Sequence, residues 1–309
     1  MHFARINPKT AGVLLIVISA VGYGLQPIFG KLAYAEGISP STMTFGRFLL
    51  AAAFFEAHYL FLPKGRRING GELLATIGIG CVFAGAAFCY FISLQYLSPV
   101  VFSFVYYTYP AMTLAVGTLF FGEKITAHHA VGAALTILGM LFLLGGGEVA
   151  ANTAGILWIL ACSLCMAFFF RLQKFLPKKR CELYHAKIMI RTMALLFFAW
   201  WLGDGAPNAD GGGGLWWVFW VGLVSTYIAF TASVVGIAYL GANQAALLSG
   251  QEPVWTALFA LFVLGVLPGE WQLFGAAVML AAVFYINAFG HSPVRQTGAP
   301  ARETGLQNL

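Results

Sequence analysis

The sequence predicts an all-α integral membrane protein of ten transmembrane helices, built as two five-helix repeats of opposite orientation. Three observations carry that prediction. The composition is 60% hydrophobic and 9% charged, with a mean hydropathy of +0.82, which suits a chain whose solvent is mostly lipid. Apolar runs between polar, Pro and Gly breaks divide the chain into ten stretches, each near the roughly 20 residues that cross a ~30 Å hydrocarbon core. The two halves also repeat at a constant offset of about 143 residues. Ala11-Gly12 reads again as Ala154-Gly155, Phe54-Phe55 as Phe197-Phe198, Tyr96-Leu97 as Tyr239-Leu240, Pro110 as Pro253, and Gly132-Ala133-Ala134 as Gly275-Ala276-Ala277. A unit with an odd number of spans re-enters the bilayer from the other side, so the second copy is inverted. The repeats are expected at residues 11–145 and 154–290 as one unit, with 291–309 a cytoplasmic tail.

The first span is expected near Ala11 to Tyr34. Its apolar run is too long for the core of a signal peptide, and its repeat partner cannot be cleaved. Gln26-Pro27, flanked by Gly22 and Gly24, predicts a break there and a free Tyr23 carbonyl. Lys31 ends this span, and Arg47 lies toward the outer end of the second, Thr42 to Leu62; both are expected to snorkel to the headgroups. The third span, Leu73 to Leu94, and the fifth, Ala130 to Gly145, carry Gly78, Gly80, Gly85, Gly132 and Gly139 as seams for close helix approach. Between them the fourth, Pro99 to Phe121, holds Tyr106, Tyr107 and Tyr109 ahead of a break at Pro110.

In the second copy the spans are expected near Ala154 to Phe170, Ala186 to Gly203, Leu215 to Tyr239, Asn243 to Val266 and Trp271 to Phe289. Cys162-x-x-Cys165 falls inside a span and is read as packing. With Cys81 and Cys89 also in spans and Cys181 in a basic loop, the cysteines form no disulfide framework. Gly211 to Gly214 is an external linker by composition, followed by Trp216, Trp217 and Trp220 as an interfacial anchor.

Charge distribution orients the chain. With a cytoplasmic N-terminus, Arg5, Lys9, Lys64-Gly65-Arg66-Arg67, Lys124, Lys178-Lys179-Arg180, Arg295 and Arg302 all fall on one side, while Glu36, Glu148, Asp204, Asp210 and Glu270 mark the other. This is the positive-inside pattern with both termini cytoplasmic, so the basic clusters read as topology signals and no nucleic-acid partner is expected. A bacterial inner membrane suits the short loops.

Glu252 is the polar residue the membrane should have excluded. Counted from Asn243 at ~1.5 Å per residue, it lies about 14 Å deep, where an ionised side chain costs roughly 2.5–3.5 kcal/mol on insertion scales. Pro253 cannot donate to the Ser249 carbonyl, which is left for water or ligand. Tyr109-Pro110 occupies the same register in the first copy, and paired breaks at matching positions point to a transporter's binding site. The expected substrate-binding set is therefore Glu252, Gln251, Trp255, Tyr106, Tyr109, Gln26, Tyr227, Gln244 and Arg47, with breaks at Pro27, Pro110 and Pro253. Aromatic faces with a few convergent polar groups suit a small zwitterionic or cationic solute. A carboxyl that gives up its proton as such a solute enters would couple the two fluxes. No cofactor or metal is expected, and no reactive constellation points to an enzyme. A channel would need a ring of like residues about an oligomeric axis.

These residues resemble the EamA repeat of the drug/metabolite transporter superfamily. The shared features are Lys31 and Arg47 in the first copy, Lys174 and Arg191 in the second, Gly122-Glu123, Gly269-Glu270, and Glu252-Pro253-Val254. The second copy departs in having Phe170 where the first has Pro27. The resemblance implies secondary transport of small organic metabolites such as amino acids, by export or exchange, through alternating access around a central cavity. The alternative reading on the same fold is a flippase for lipids or lipid-linked solutes.

Overall fold

The computed structural model describes residues 7–61, 68–122, 127–144, 152–176, 182–205, 213–240, 245, 248–266 and 269–289. They form helices α1 (Pro8–Ala35), α2 (Pro40–Phe61), α3 (Gly70–Tyr96), α4 (Pro99–Tyr106), α5 (Tyr109–Phe121), α6 (Ala127–Leu144), α7 (Thr153–Leu172), α8 (Glu182–Gly203), α9 (Gly213–Trp220), α10 (Ala229–Leu240), α11 (Glu252–Leu264) and α12 (Glu270–Phe289). Among the described residues six helical stretches are long and apolar enough to cross a membrane, and Ala130–Phe142 and Glu252–Leu264 are shorter apolar helices.

Local signals start the helices where the chain supplies them. The Asn7 side chain accepts from the Lys9 amide at 3.0 Å ahead of Pro8. Asn69 and Glu72 form a reciprocal capping box at α3, which satisfies two otherwise orphaned amides. Ser98 precedes Pro99 in the same way at α4. At the other end, α5 and α11 stop at Gly122 and Gly265, left-handed at φ 64 and φ 65, a conformation that disfavours any residue with a Cβ. These are repeat-equivalent positions.

Two elements depart from the sequence reading. Helix α1 runs unbroken through Pro27, so that proline is not a break: the flanking bundle holds the helix axis across the missing hydrogen bond. The eighth span is not one α-helix, because Val221–Ile228 between α9 and α10 winds as a π-helix. There Thr226 Oγ1 donates to the Val221 carbonyl at 2.8 Å.

The halves do not form separate lobes. The main helix pairs are α6 with α12, α3 with α7 and α8, α1 with α10 and α11, and α2 with α8, and each of these joins one repeat to the other. Gly12 meets Tyr239 and Leu240, while its repeat-mate Gly155 meets Tyr96 and Leu97; a Cβ at either would come within 2.7 Å of a side-chain atom. The contact is thus reciprocal, residue for residue. Gly139 is a similar close approach to Gly275 and Met279, but Gly78 faces open space and forms no seam. Helices α2 and α8 are pinned along their length by Ser41 Oγ to Asp204 Oδ2 at 2.5 Å, the stacked Phe48 and Phe197 rings, and Lys187 Nζ to Glu56 Oε2 at 2.7 Å. Arg191 pairs with Glu56 as well.

Candidate functional site

Proline at Pro110 and Pro253 removes the amide that would have bonded the carbonyl four residues earlier. Both orphaned carbonyls are capped, and each by a hydroxyl from the opposite repeat. Tyr107 Oη donates to the Ser249 carbonyl at 2.5 Å, and Ser163 Oγ on α7 lies 3.0 Å from the Tyr106 carbonyl, sharing its proton between that oxygen and the equidistant Ile159 carbonyl of its own helix. The Ser249 oxygen is therefore not free for ligand, contrary to the expectation from Pro253 alone. Burial forces such satisfaction, because an unpaired carbonyl in the bundle has no water to fall back on.

Glu252 opens α11 at the second of these breaks, with Gln251 as the helix cap. Its Oε2 accepts from Tyr107 Oη at 3.4 Å, a longer bond than the one the same hydroxyl makes to the Ser249 carbonyl. When the carboxyl is protonated it can donate to Tyr107 Oη in turn. Thr256, 1% exposed, ties α11 to α1 by donating to the Gly24 carbonyl at 3.2 Å. The helices approach so closely there that a Cβ on Gly24 would sit 2.8 Å from Trp255 Cβ. Trp255 Nε1 in turn donates to Gln251 Oε1 at 3.3 Å.

Tyrosines surround this acid. Tyr106 and Tyr109 lie 5.3 Å apart by ring centroid, Tyr107 and Tyr109 5.5 Å, and Tyr90 and Tyr106 5.9 Å. Phe170, in the register of Pro27, stacks on Tyr109. Glu252 interacts electrostatically with Tyr23, Tyr90, Tyr106, Tyr107 and Tyr109. Arg47 interacts electrostatically with Tyr23, Tyr34, Tyr90 and Tyr106, so Tyr23, Tyr90 and Tyr106 are within electrostatic reach of both the acid and the base. Tyr23, Tyr106, Tyr109 and Glu252 are only partly buried and keep some accessible surface.

The other expected site residues are placed differently. Arg47 is 5% exposed, with its guanidinium over the Phe48 and Phe91 rings at 4.4 and 5.0 Å; it is interior and does not snorkel. Lys31 Nζ instead reaches the Gln95 carbonyl at 3.4 Å. Gln26 is buried in α1 beside Pro27. Tyr227 belongs to another cluster, bonded to His58 Nδ1 at 2.8 Å and packed on Phe54 and Phe55. Gln244 lies outside the described residues, as do the Lys64 and Lys178 loops and Asp210. Tyr23, Tyr90, Ser163 and Thr256 were not singled out from sequence. Only Tyr23, set between Gly22 and Gly24, had a local signal. Among the described residues no three His, Cys, Asp or Glu side chains gather as a metal site.

Comparison with known proteins places this arrangement. The EamA-like transporter family matches residues 10–145 and 153–288, nearly the whole chain and twice over. The chain belongs to the EamA-like transporter family. Two relatives from Bacillus subtilis (strain 168) are similar along their length: uncharacterized transporter YcbK, 26% identical over 92% of this chain and 93% of the relative, and uncharacterized transporter YdfC, 24% identical over 91% and 92%. A solved crystal structure shares the fold with a TM-score of 0.62 at 18% identity, covering 91% of this chain and 96% of that one. EamA membership and the apolar helices make the chain an integral membrane protein of a transporter family.

Proposed function

We propose that this EamA protein is a ten-span secondary transporter that exports or exchanges small organic solutes across a bacterial inner membrane, with both termini cytoplasmic. The repeats at 11–145 and 154–290 act as one transport unit, and the solute occupies the tyrosine-lined space beside Glu252. The observation that carries this reading is the reciprocal capping of the two breaks: Tyr107 of the first half seats Ser249, and Ser163 of the second seats Tyr106. Two discontinuous helices at equivalent positions, each held by the other half, form a site that both halves share and that a rocking motion would open to one side or the other. Gln251, Trp255, Tyr106 and Tyr109 supply contacts, and Glu252 exchanges a proton as the solute enters.

Detergent-purified protein screened against a metabolite panel tests the reading. A ligand at 100 times its Kd adds ~2.7 kcal/mol of stability, and hits should then drive counterflow in proteoliposomes. Scrambling of labelled lipid in the same vesicles, with no soluble solute moved, would overturn solute transport in favour of lipid flipping.

A further inference from the structure

The arginine in the second repeat has a carboxylate partner: Arg191 and Lys187 both pair with Glu56. Among the described residues Arg47 has none. Glu56 shares its helix but stands nine residues away, ~13 Å along the axis, and pairs with the other half. Arg47 Nε is buried without a hydrogen-bond partner, and no ion pair to Arg47 occurs among the described residues. Its guanidinium lies over the π faces of Phe48 and Phe91, and the phenols of Tyr90, Tyr23, Tyr34 and Tyr106 are within electrostatic reach. Tyr34 Oη is already committed to the Phe91 carbonyl at 2.9 Å. Aromatic faces attract a cation but do not replace a charged acceptor for five N–H donors. A guanidinium removed from water and left unpaired is costly, and its planar fork fits a carboxylate.

We propose that Arg47 is an anion subsite of the central space, and that the transported solute is a soluble compound whose carboxylate seats on its guanidinium. This rests on the transport reading above. Neighbouring rings lead from Glu252 through Tyr107 and Tyr106 to Tyr90, which lies within electrostatic reach of Arg47, so a solute held by its carboxylate at Arg47 directs the rest of itself along the tyrosines toward the acid. The subsite fixes the orientation of the solute, and Glu252 reads its other end.

The test uses a full-length chain lacking native cysteines and carrying Tyr23→Cys. Its labelling is followed with anionic sulfonatoethyl and cationic trimethylammonioethyl methanethiosulfonates, each rate normalised to that of a free thiol. Arg47 should favour the anionic reagent roughly tenfold, as a buried charge concentrates its counter-ion. Arg47→Lys should keep the preference and Arg47→Gln should abolish it. Benzoate should slow labelling several-fold with Arg47 intact, and the isosteric neutral benzamide should not; this arm stands even if Arg47→Gln fails to fold. Reaction with both reagents at equal normalised rates, or equal protection by benzoate and benzamide, would overturn the anion subsite and leave the transport reading intact. A Tyr23→Cys inert to both reagents would overturn the internal space and the subsite together.

Discussion

At the scale of single residues, the site depends on which polar atoms are already satisfied. Tyr107 serves both the Ser249 carbonyl and the Glu252 carboxyl, so the balance of that contact shifts with the protonation state of the carboxyl. Glu252→Gln keeps the size and a hydrogen-bond donor but cannot ionise. That variant should insert and purify as wild type while losing solute binding or the pH dependence of transport; unchanged affinity and transport across the pH range would make Glu252 structural. Tyr107→Phe asks a different question. It strands the Ser249 carbonyl, at a cost of about 1–3 kcal/mol, and should lower the apparent unfolding temperature in detergent. A Phe variant as stable as wild type would mean that the cap contributes nothing.

The elements are held by close approach rather than by apolar drive, which lipid does not supply between helices. Helix α1 is the clearest case. It meets α10 at Gly12, the α10 N-terminus at Gly22, and α11 at Gly24, and at each position a Cβ would lie under 3.0 Å from a neighbouring atom. At Gly24 the nearest atoms include the Thr256 amide and the Glu252 carbonyl, so relief needs backbone movement. Gly24→Leu should therefore push α1 off α11, break the Thr256 bond to Gly24, and cost roughly 1–3 kcal/mol from overpacking. Gly78→Leu, facing open space, is the control and should leave thermal stability unchanged. Equal losses from both would show that side-chain bulk in the span, and not the α1–α11 approach, is what matters.

The whole molecule is an interleaved pair of repeats, since its principal helix contacts cross between the halves. Polar links between helices sort consistently under the proposed topology: Ser41 with Asp204 and Lys31 with Gln95 toward the outside, Glu56 with Lys187 toward the cytoplasm. Cysteine accessibility in intact cells checks that arrangement. Lys64→Cys and Lys178→Cys should resist an impermeant thiol reagent added outside, and Asp210→Cys should react with it. External labelling at Lys178→Cys would refute the inverted ten-span arrangement.

Much of this was legible before any coordinates. Hydropathy and the repeat are written locally, because lipid demands continuous apolar runs. The breaks at Pro110 and Pro253 and the anomaly of Glu252 were legible too, since each breaks a rule that holds at its own position. What the sequence by itself determined, then, is a membrane protein of two repeats with exceptional residues at matching places. Tertiary structure decided what surrounds them. Pro27 resembles the other two prolines in sequence, yet α1 continues through it as one helix. Arg47 reads as a snorkelling arginine until helix packing buries it against Phe48 and Phe91, with no carboxylate partner among the described residues. Ser163 and Thr256 look like ordinary helix residues until another helix brings a carbonyl to them. The physical reason is the same in each case: chain chemistry fixes which polar atoms need a partner, but only the approach of distant helices determines which partner arrives.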